Sequence, residues 1–203
     1  MSKKPVIVFE GIEGTGKSFH INEVAKFLKE KKIKYIKLRE PGGSLNSEKI
    51  RSFILKKSSN FNKVTDLLLY IAARNENYLH ILKKNYKKKV ILLDRFVDST
   101  IAYQHYGMNV DLKIINMLNK LIVKDFKVDF TFLNIVNKSN LKKRLASRIK
   151  LNRYDSFKFN FYNRVQKGYL KILNKNKNYK IINSNKNRNL NKKIIQNKIS
   201  ELL

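Results

Sequence analysis

The sequence has no cysteine, and its 203 residues include only three histidines. Without cysteine the chain cannot form a disulfide framework, a cysteine-ligated zinc site or a catalytic thiol. The histidines, His20, His80 and His105, show no spacing typical of metal ligands. Disulfide-stabilised folds, cysteine zinc sites and thiol enzymes are therefore excluded.

Long apolar stretches are also missing. No run approaches the roughly 20 apolar residues that a membrane-spanning helix needs. The chain enters a strand-like apolar run at residues 6–9, with no secretory hydrophobic segment before it. We therefore expect a cytoplasmic protein that has no membrane partner.

Acidic residues are few: 15 Asp and Glu stand against 45 Lys and Arg, which gives a formal net charge of +30 at pH 7. Such an excess is typical of proteins that bind nucleic acid or an anionic membrane. The lysines are spread along the whole chain, however, and they accompany many Asn, Ile and Tyr residues, as in residues 174–178. AT-rich coding produces this composition. We expect a solvated lysine-rich surface that attracts anions generally and has no specific nucleic-acid partner.

Residues 11–18 match the phosphate-binding pattern G-x-x-x-x-G-K-[ST] in full. A β-branched apolar run precedes the motif, and apolar residues at helical spacing follow it, among them Ile21, Val24 and Leu28. Strand, glycine-rich turn and helix form the setting in which this pattern makes a phosphate-binding loop. The alternative, a glycine-rich turn with an incidental lysine, fits neither flank. The chain is therefore predicted to bind a nucleoside triphosphate together with Mg²⁺.

The chemistry of the motif explains this prediction. Glycines let backbone N–H groups turn toward an anion, and the positive end of the following helix points to the same place. Lys17 can reach the outer phosphates, and the hydroxyl of Ser18 can hold Mg²⁺. The predicted nucleotide-binding residues are Gly11, Ile12, Glu13, Gly14, Thr15, Gly16, Lys17 and Ser18.

Strand and helix patterns alternate along the chain. Strands are predicted at residues 6–9, 33–38, 90–94, 128–136 and 179–182. Helices are predicted after the phosphate-binding loop, from Ser47 to 55, from Asp66 to about 86, from Ser99, and over 111–124, 141–149, 156–173 and 190–202. This alternation predicts an α/β fold of the P-loop NTPase type, with a parallel sheet of about five strands and helices on both faces. Residues 1–203 show no domain boundary and are expected to form one domain.

Asp94 ends an apolar strand pattern, and Arg95 follows it. In a P-loop protein an aspartate at this position holds Mg²⁺ directly or through water, whereas the alternative is a carboxylate that only shapes a turn. Since Lys17 and Ser18 require a metal partner, the metal role is preferred. Arg95 is expected at the carboxyl edge of the sheet, where ligands of doubly wound folds bind and where a guanidinium suits phosphate.

Several segments, taken in order, resemble the thymidylate kinase family. They are the phosphate-binding loop with an embedded acid (9–18), the loop at 39–43, the helix pattern at 67–74, the segment 94–104 and a basic stretch at 144–155 that corresponds to the family's lid. The resemblance implies transfer of the γ-phosphoryl of ATP to dTMP, giving dTDP, in dTTP synthesis. It also implies a homodimer.

The resemblance further implies a role for individual residues. The acceptor-binding residues are expected to be Glu40, Pro41, Gly42, Tyr70, Arg74, Arg95, Ser99, Thr100, Tyr103 and Gln104. Tyr70 is expected to stack on thymine, Arg74 and Thr100 to contact the pyrimidine edge, and Tyr103 to exclude a ribose 2′-hydroxyl. Without the resemblance, the two tyrosines would be ordinary half-buried aromatics and the other two residues surface groups.

The expected catalytic residues are Lys17, Arg95, Glu13, Arg148 and Arg153. The phosphoryl transition state needs cations, because its negative charge spreads over several oxygens. Gly14 follows Glu13, so the phosphate-binding loop lacks the arginine that some members of the family carry beside this acid. The resemblance therefore implies the subtype whose lid supplies a catalytic arginine, here Arg148 or Arg153.

Two other functions remain open at this point. A kinase for another nucleoside monophosphate or for a deoxynucleoside would share the phosphate-binding loop and the Asp94–Arg95 pair. A basic, nucleic-acid-binding ATPase would instead need clustered basic patches and an acid that activates water.

Overall fold

The computed structural model describes residues 4–147, 149, 152–174 and 178–203. At its centre lies a five-stranded parallel sheet with the strand order β2-β3-β1-β4-β5. The strands are β1 Val6–Glu10, β2 Tyr35–Arg39, β3 Val90–Asp94, β4 Phe130–Ile135 and β5 Tyr179–Asn183. The predicted α/β fold with about five parallel strands is confirmed.

Helices connect these strands. They are α1 Lys17–Glu30, α2 Leu45–Leu55, α3 Lys63–Asn77, α4 Lys83–Asn85, α5 Val97–Thr100, α6 Leu112–Val123, α7 Lys138–Ala146, α8 Phe159–Leu173 and α9 Arg188–Leu202. The π-helical stretches Tyr78–Leu82 and Ile101–Gly107 continue α3 and α5, and a 3₁₀ turn spans Arg153–Ser156. Among the described residues, no helix is both long and apolar enough to cross a bilayer.

Both faces of the sheet are covered, which explains why the central strands are mostly apolar. On one face, Phe9 and Phe132 pack against α1 and α9 through Leu28 and Ile195. On the other face, alternate residues of β1 and β3 pack under Phe96 and Phe126. β1 is buried along its whole length, and the phosphate-binding loop leaves its carboxyl end.

Two helices begin two to three residues before their predicted starts. α2 begins at Leu45 with Ser44 as its N-cap, and Ser47 lies buried inside the helix, where its backbone N–H donates to the Ser44 side chain. α3 begins at Lys63 and is capped by Asn62, so Asp66 lies in its first turn. Serine, asparagine and aspartate are all good N-caps, and sequence spacing alone does not select one among close neighbours. The other predicted boundaries agree to within three residues.

Strand register brings three loops to one edge of the sheet. Asp94 at the end of β3 pairs with Phe9 of β1 on one side and with Arg39 of β2 on the other. The phosphate-binding loop, the loop after β2 and the segment after β3 therefore meet above the carboxyl ends of the strands. This is the edge at which ligands of open α/β sheets bind.

Candidate active site

A cavity of about 400 Å³ opens at this edge. Most of the residues predicted from the sequence line it: Glu13, Gly14, Thr15, Gly16, Lys17, Ser18, Glu40, Pro41, Tyr70, Arg74, Asp94, Arg95, Ser99, Thr100, Tyr103 and Gln104. Residues from four separate segments of the chain are thus brought together. The cavity has the size of a small-molecule site.

A few predicted residues do not line the cavity. Gly11 contributes its carbonyl, which accepts hydrogen bonds from Lys17 and Arg95. Ile12 is a core residue with 2% of its surface exposed. Gly42 acts through its backbone, because its N–H donates to Ser47 and a Cβ there would lie 2.6 Å from a carboxylate oxygen of Glu48. These three residues shape the loops around the cavity.

Lys17 spans the mouth of the phosphate-binding loop. Its Nζ donates to the carbonyls of Gly11 at 2.8 Å and Ile12 at 2.9 Å. Burial, together with the positive charge of Arg95, lowers the pKa of Lys17 to about 8, although nearby Asp94 and Glu13 oppose this shift. A phosphate group at the loop would place negative charge next to the Lys17 amine and favour its protonated form.

Ser18 and Asp94, the two residues predicted to hold Mg²⁺, lie in contact with each other. The Ser18 hydroxyl donates to Asp94 Oδ2 at 3.2 Å, and Ser18 is exposed at the cavity. A hydroxyl and a carboxylate are oxygen donors of the kind that Mg²⁺ prefers, with water and phosphate oxygens completing its shell. The residues present therefore fit a magnesium ion bound through two protein ligands.

Arg95 is held firmly at the centre of the cavity wall. Its backbone is left-handed, with φ 72°, an unusual conformation for a residue with a side chain. The guanidinium donates to Gly11 O at 2.8 Å, to Glu13 Oε1 at 2.9 Å and to the Tyr103 hydroxyl at 3.2 Å. It also lies 5.0 Å from the centre of the Tyr103 ring. A fixed, positively charged fork of this kind suits phosphate.

Glu13 joins the phosphate-binding loop to the segment after β3. Its second oxygen accepts from the Tyr103 hydroxyl at 2.6 Å. Burial opposes ionisation of Glu13, but the positive charges of Arg95 and Lys17 outweigh it and lower the pKa of this carboxyl. Glu13 is therefore ionised at neutral pH.

Arg74 is buried rather than a surface group, with 2% of its surface exposed. Its guanidinium donates to Glu40 at 2.7 Å, to Thr100 at 2.9 Å, to Asn119 at 2.6 Å and to the Phe96 carbonyl at 3.1 Å. Since a guanidinium has five N–H donors, one has no partner among the described residues. Thr100 is also buried, at 1% exposed. The surface alternative for these two residues is wrong.

Aromatic rings form another wall of the cavity. Tyr70 is half-buried, and its ring lies edge-on to Tyr154 with centroids 6.2 Å apart. Tyr103 lies edge-on to the same ring at 5.7 Å. Flat apolar faces that carry hydroxyl groups at their edges suit a nucleoside.

Sequence reasoning missed several residues of this site. Glu10 is fully buried and accepts from the Phe96 N–H at 2.8 Å, the Ser99 hydroxyl at 2.6 Å and the Tyr169 hydroxyl at 2.9 Å. Burial raises the pKa of Glu10, although these hydrogen bonds oppose the shift. Its position at the end of a buried strand, beside the phosphate-binding loop, was the available signal.

Arg51 was also missed. It lines the cavity, and its guanidinium donates to the Pro41 carbonyl at 2.6 Å. Ser47, Arg51 and Leu55 fall on one face of α2 at intervals of four residues, and this spacing was the available signal.

The lid arginines have different outcomes. Arg148, one of the two predicted catalytic arginines, lies outside the described residues. Arg153 does not line the cavity: its guanidinium forms an ion pair with Asp66 of α3 and lies 5.1 Å from the centre of the Tyr154 ring. Its neighbours Asn152 and Tyr154 do line the cavity. The catalytic role of either arginine therefore stays a prediction.

Comparison with known proteins agrees with this geometry. A family model described as thymidylate kinase matches residues 9–195. The thymidylate kinase of Ehrlichia chaffeensis is 38% identical over 173 residues, covering 84% of this chain and 83% of that protein. That of Mycoplasma capricolum is 35% identical, covering 89% and 87%. A crystal structure of thymidylate kinase from Ehrlichia chaffeensis superimposes with a TM-score of 0.79 at 30% identity, over 98% of this chain and 99% of that one.

Proposed function

The chain belongs to the thymidylate kinase family, and we propose that its cavity holds dTMP against the outer phosphates of ATP. Its reaction is that of the family: phosphorylation of dTMP to dTDP in dTTP synthesis. One observation supports the assignment of the site most strongly. The complete phosphate-binding loop faces Arg95, Tyr70, Arg74 and Tyr103 across one cavity.

ATP is assigned to the phosphate-binding loop and the start of α1. Backbone N–H groups of residues 14–18 and the positive end of α1 attract the phosphates. Lys17 Nζ donates to two carbonyl oxygens of the loop. Because this amine already lies at the loop, the β- and γ-phosphates can replace the carbonyls as its hydrogen-bond acceptors. Desolvation in the bound state strengthens this charge interaction.

Ser18 and Asp94 would hold Mg²⁺. When bound, the ion would neutralise negative charge on the phosphate oxygens of ATP. The contact between the two side chains keeps both oxygens at one place before any ligand arrives.

The acceptor is assigned to the opposite half of the cavity. Arg95, oriented by Glu13 and by the Gly11 carbonyl, would hold the dTMP phosphate. Tyr70 would stack on thymine, and the remaining N–H of Arg74 would favour a carbonyl on the pyrimidine edge. Tyr103 has its hydroxyl committed to Glu13, which leaves its ring to crowd the 2′ position of the sugar.

Catalysis would then consist of positioning and charge stabilisation. The acceptor phosphate oxygen attacks the γ-phosphorus, and ADP leaves on the opposite side. Lys17 would lie on the ATP side of the transferred phosphoryl group and Arg95 on the dTMP side, and a lid arginine would complete the set of cations. Since Gly14 offers no side chain, Arg148 and Arg153 remain the candidates for that last charge.

A homodimer is part of the proposal, and two neighbouring helices support it. α3 and α6 pack together through Leu67 and Ile115. Their outer faces expose large apolar residues at helical spacing: Val64, Leu68, Ile114, Met117 and Leu121, of which Met117 is 63% exposed. An exposed apolar patch of this kind marks an interaction site. We also expect the enzyme to act in the cytoplasm, where its nucleotide substrates are available.

A panel of nucleoside monophosphates tests this function. Each would be incubated with ATP, Mg²⁺ and enzyme, and the diphosphate product quantified. We expect dTMP to give the highest kcat/KM, with its ribonucleotide counterpart and dCMP far lower, because a wrong polar pattern leaves groups of the site unpaired and costs up to ~10⁴ in rate. Comparable values for dCMP would contradict the role of Arg74.

A further inference from the structure

Asp66 gathers contacts from two distant segments of the chain. It lies in the first turn of α3 with 1% of its surface exposed. Its Oδ2 accepts from the Tyr154 hydroxyl at 2.7 Å and from Gln104 Nε2 at 3.2 Å, and its Oδ1 forms the ion pair with Arg153. A buried carboxylate is tolerated only when it is paired and hydrogen-bonded in this way.

Two of these three partners form the wall of the cavity, whereas Asp66 itself does not line it. Tyr154 and Gln104 are both lining residues. The Tyr154 ring stands between Tyr70 and Tyr103, edge-on to each. Asp66 therefore reaches the acceptor pocket only through other side chains.

The contact with Asp66 fixes the orientation of the Gln104 amide, because a carboxylate accepts from the amide nitrogen. With Nε2 donating to Asp66, the amide oxygen is the acceptor that remains. No group among the described residues donates to this oxygen, although Gln104 is only 1% exposed. A pyrimidine whose N3 carries a proton, as in thymine, can donate to it, whereas cytosine presents an acceptor at the same position.

We propose that Asp66 is a positioning residue for the acceptor nucleotide. Through Gln104 it selects a pyrimidine with an N3–H donor, and through Tyr154 and Arg153 it holds the segment 152–156 as the wall beside Tyr70. This inference rests on the proposed function, because it assigns the base of dTMP to this half of the cavity.

The substitution Asp66→Asn tests the role. An asparagine keeps the shape but gives up the ion pair with Arg153. Because its amide can donate as well as accept, it no longer dictates which end of the Gln104 amide faces it. Hydrogen bonds to a charged group correspond to about tenfold or more in affinity. We expect the KM for dTMP to rise by about tenfold and the preference for dTMP over dCMP in kcat/KM to fall by at least tenfold.

A second variant separates the two contacts. Tyr154→Phe removes one hydroxyl and keeps the ring, so it is expected to raise the KM for dTMP severalfold without changing the preference over dCMP. Asp66→Glu, which keeps the charge, is expected to recover part of that preference. Asp111→Asn is the matched control: it makes the same charge change at an exposed N-cap of α6, where asparagine caps equally well, and both constants should stay unchanged.

The outcomes are distinct. A folded Asp66→Asn enzyme with unchanged KM and unchanged preference over dCMP overturns the inference. If Asp66→Asn does not fold, Tyr154→Phe decides, and an unchanged KM for dTMP in that variant overturns it equally. A wild-type enzyme that makes no dTDP contradicts the proposed function itself, so the two failures are told apart within the same experiment.

Discussion

Asp98 lines a small cavity together with Val8, Phe96 and Thr131, and it is only partly exposed. Burial and the neighbouring charge of Glu10 raise the pKa of Asp98 to about 7 from an ordinary value of 3.8, although Arg74 opposes the shift. The native state therefore holds this proton more tightly than the unfolded state does. The stabilisation that follows is complete below about pH 3.8 and is lost as the pH rises through about 7.

We predict that Asp98→Asn raises the melting temperature more at pH 8 than at pH 5, because the amide never has to ionise. Thermal unfolding followed by circular dichroism at both values measures this difference. Asp125→Asn, on an exposed turn, controls for the change in net charge. An equal shift at both pH values would show that the carboxyl of Asp98 does not titrate in this range.

At the scale of single residues, the sequence located the residues that line the cavity better than the buried polar residues that hold them in place. Lys17 and Ser18 were identified because their motif has a fixed spacing, and Asp94 and Arg95 because they end an apolar strand pattern. Glu10 and its partner Tyr169 are 159 positions apart, and such a contact has no local pattern. Buried polar networks of this kind depend on the tertiary fold.

The two lid arginines belong to the basic stretch at 144–155, which begins within the last turn of α7. A guanidinium delivered only in the transition state lowers kcat strongly on removal, by ~10³ or more, and leaves substrate affinity almost unchanged. We predict this pattern for Arg148→Ala. For Arg153→Ala we expect mainly a higher KM for dTMP, because its guanidinium pairs with Asp66 behind the acceptor wall.

Steady-state kinetics and dTMP calorimetry on both variants separate these effects. A fall in kcat for Arg153→Ala with unchanged dTMP binding would exchange the two roles. Near-normal kcat in both variants would mean that the transition-state charge comes from another element, and the lid-arginine subtype would be wrong.

Close packing of α8 against the π-helical stretch Ile101–Gly107 gives another prediction. Gly168 lies against Tyr106, and a Cβ at this glycine would be 2.5 Å from the tyrosine ring and 2.7 Å from its Cβ. We expect Gly168→Ala to lower the free energy of unfolding by about 1–3 kcal/mol, since overpacking forces neighbours to shift.

Urea unfolding of Gly168→Ala beside Lys167→Ala measures this cost. Lys167 is the exposed neighbour on the same helix. Its replacement by alanine also raises helix propensity, but it places no Cβ against Tyr106. If the two variants are equally stable, the close approach of α8 to Tyr106 does not constrain the packing.

Most elements, though not their ends, were predictable from the sequence. The apolar run of β3 and the periodicity of α6 identified these two elements to within a residue. The starts of α2 and α3 were not, because Ser44 and Asn62 compete with other capping residues nearby. The π-helical stretches were missed entirely, because short π-helices within α-helices are rare and helical periodicity gives no separate signal for them.

For the whole molecule, the formal net charge of +30 acts against close association of two copies, through mutual repulsion. Apolar contact between the exposed faces of α3 and α6 must therefore outweigh this repulsion in a homodimer. Composition alone could not indicate such a face, because scattered exposed apolar residues are normal on any protein surface.

We predict that the protein sediments at twice the 24.0 kDa of one chain and that Met117→Lys shifts it to the monomer. Leu190→Lys is the matched control, since Leu190 is an exposed apolar residue on α9, remote from this face. Analytical ultracentrifugation at physiological salt decides the question. A dimer that survives Met117→Lys, or that Leu190→Lys disrupts equally, would place the interface elsewhere.

The central claim concerns one reaction in one cavity, and product analysis with a matched pair of lysine variants tests it most directly. Wild type, Lys17→Ala and Lys26→Ala would each be incubated with ATP, Mg²⁺ and dTMP, and both nucleotide products quantified by liquid chromatography. Lys26 is an exposed lysine on the same helix as Lys17. We predict equal amounts of ADP and dTDP from wild type and Lys26→Ala, and almost none from a folded Lys17→Ala. Formation of ADP without dTDP, or dTDP formation by Lys17→Ala at a rate near that of wild type, would contradict the account.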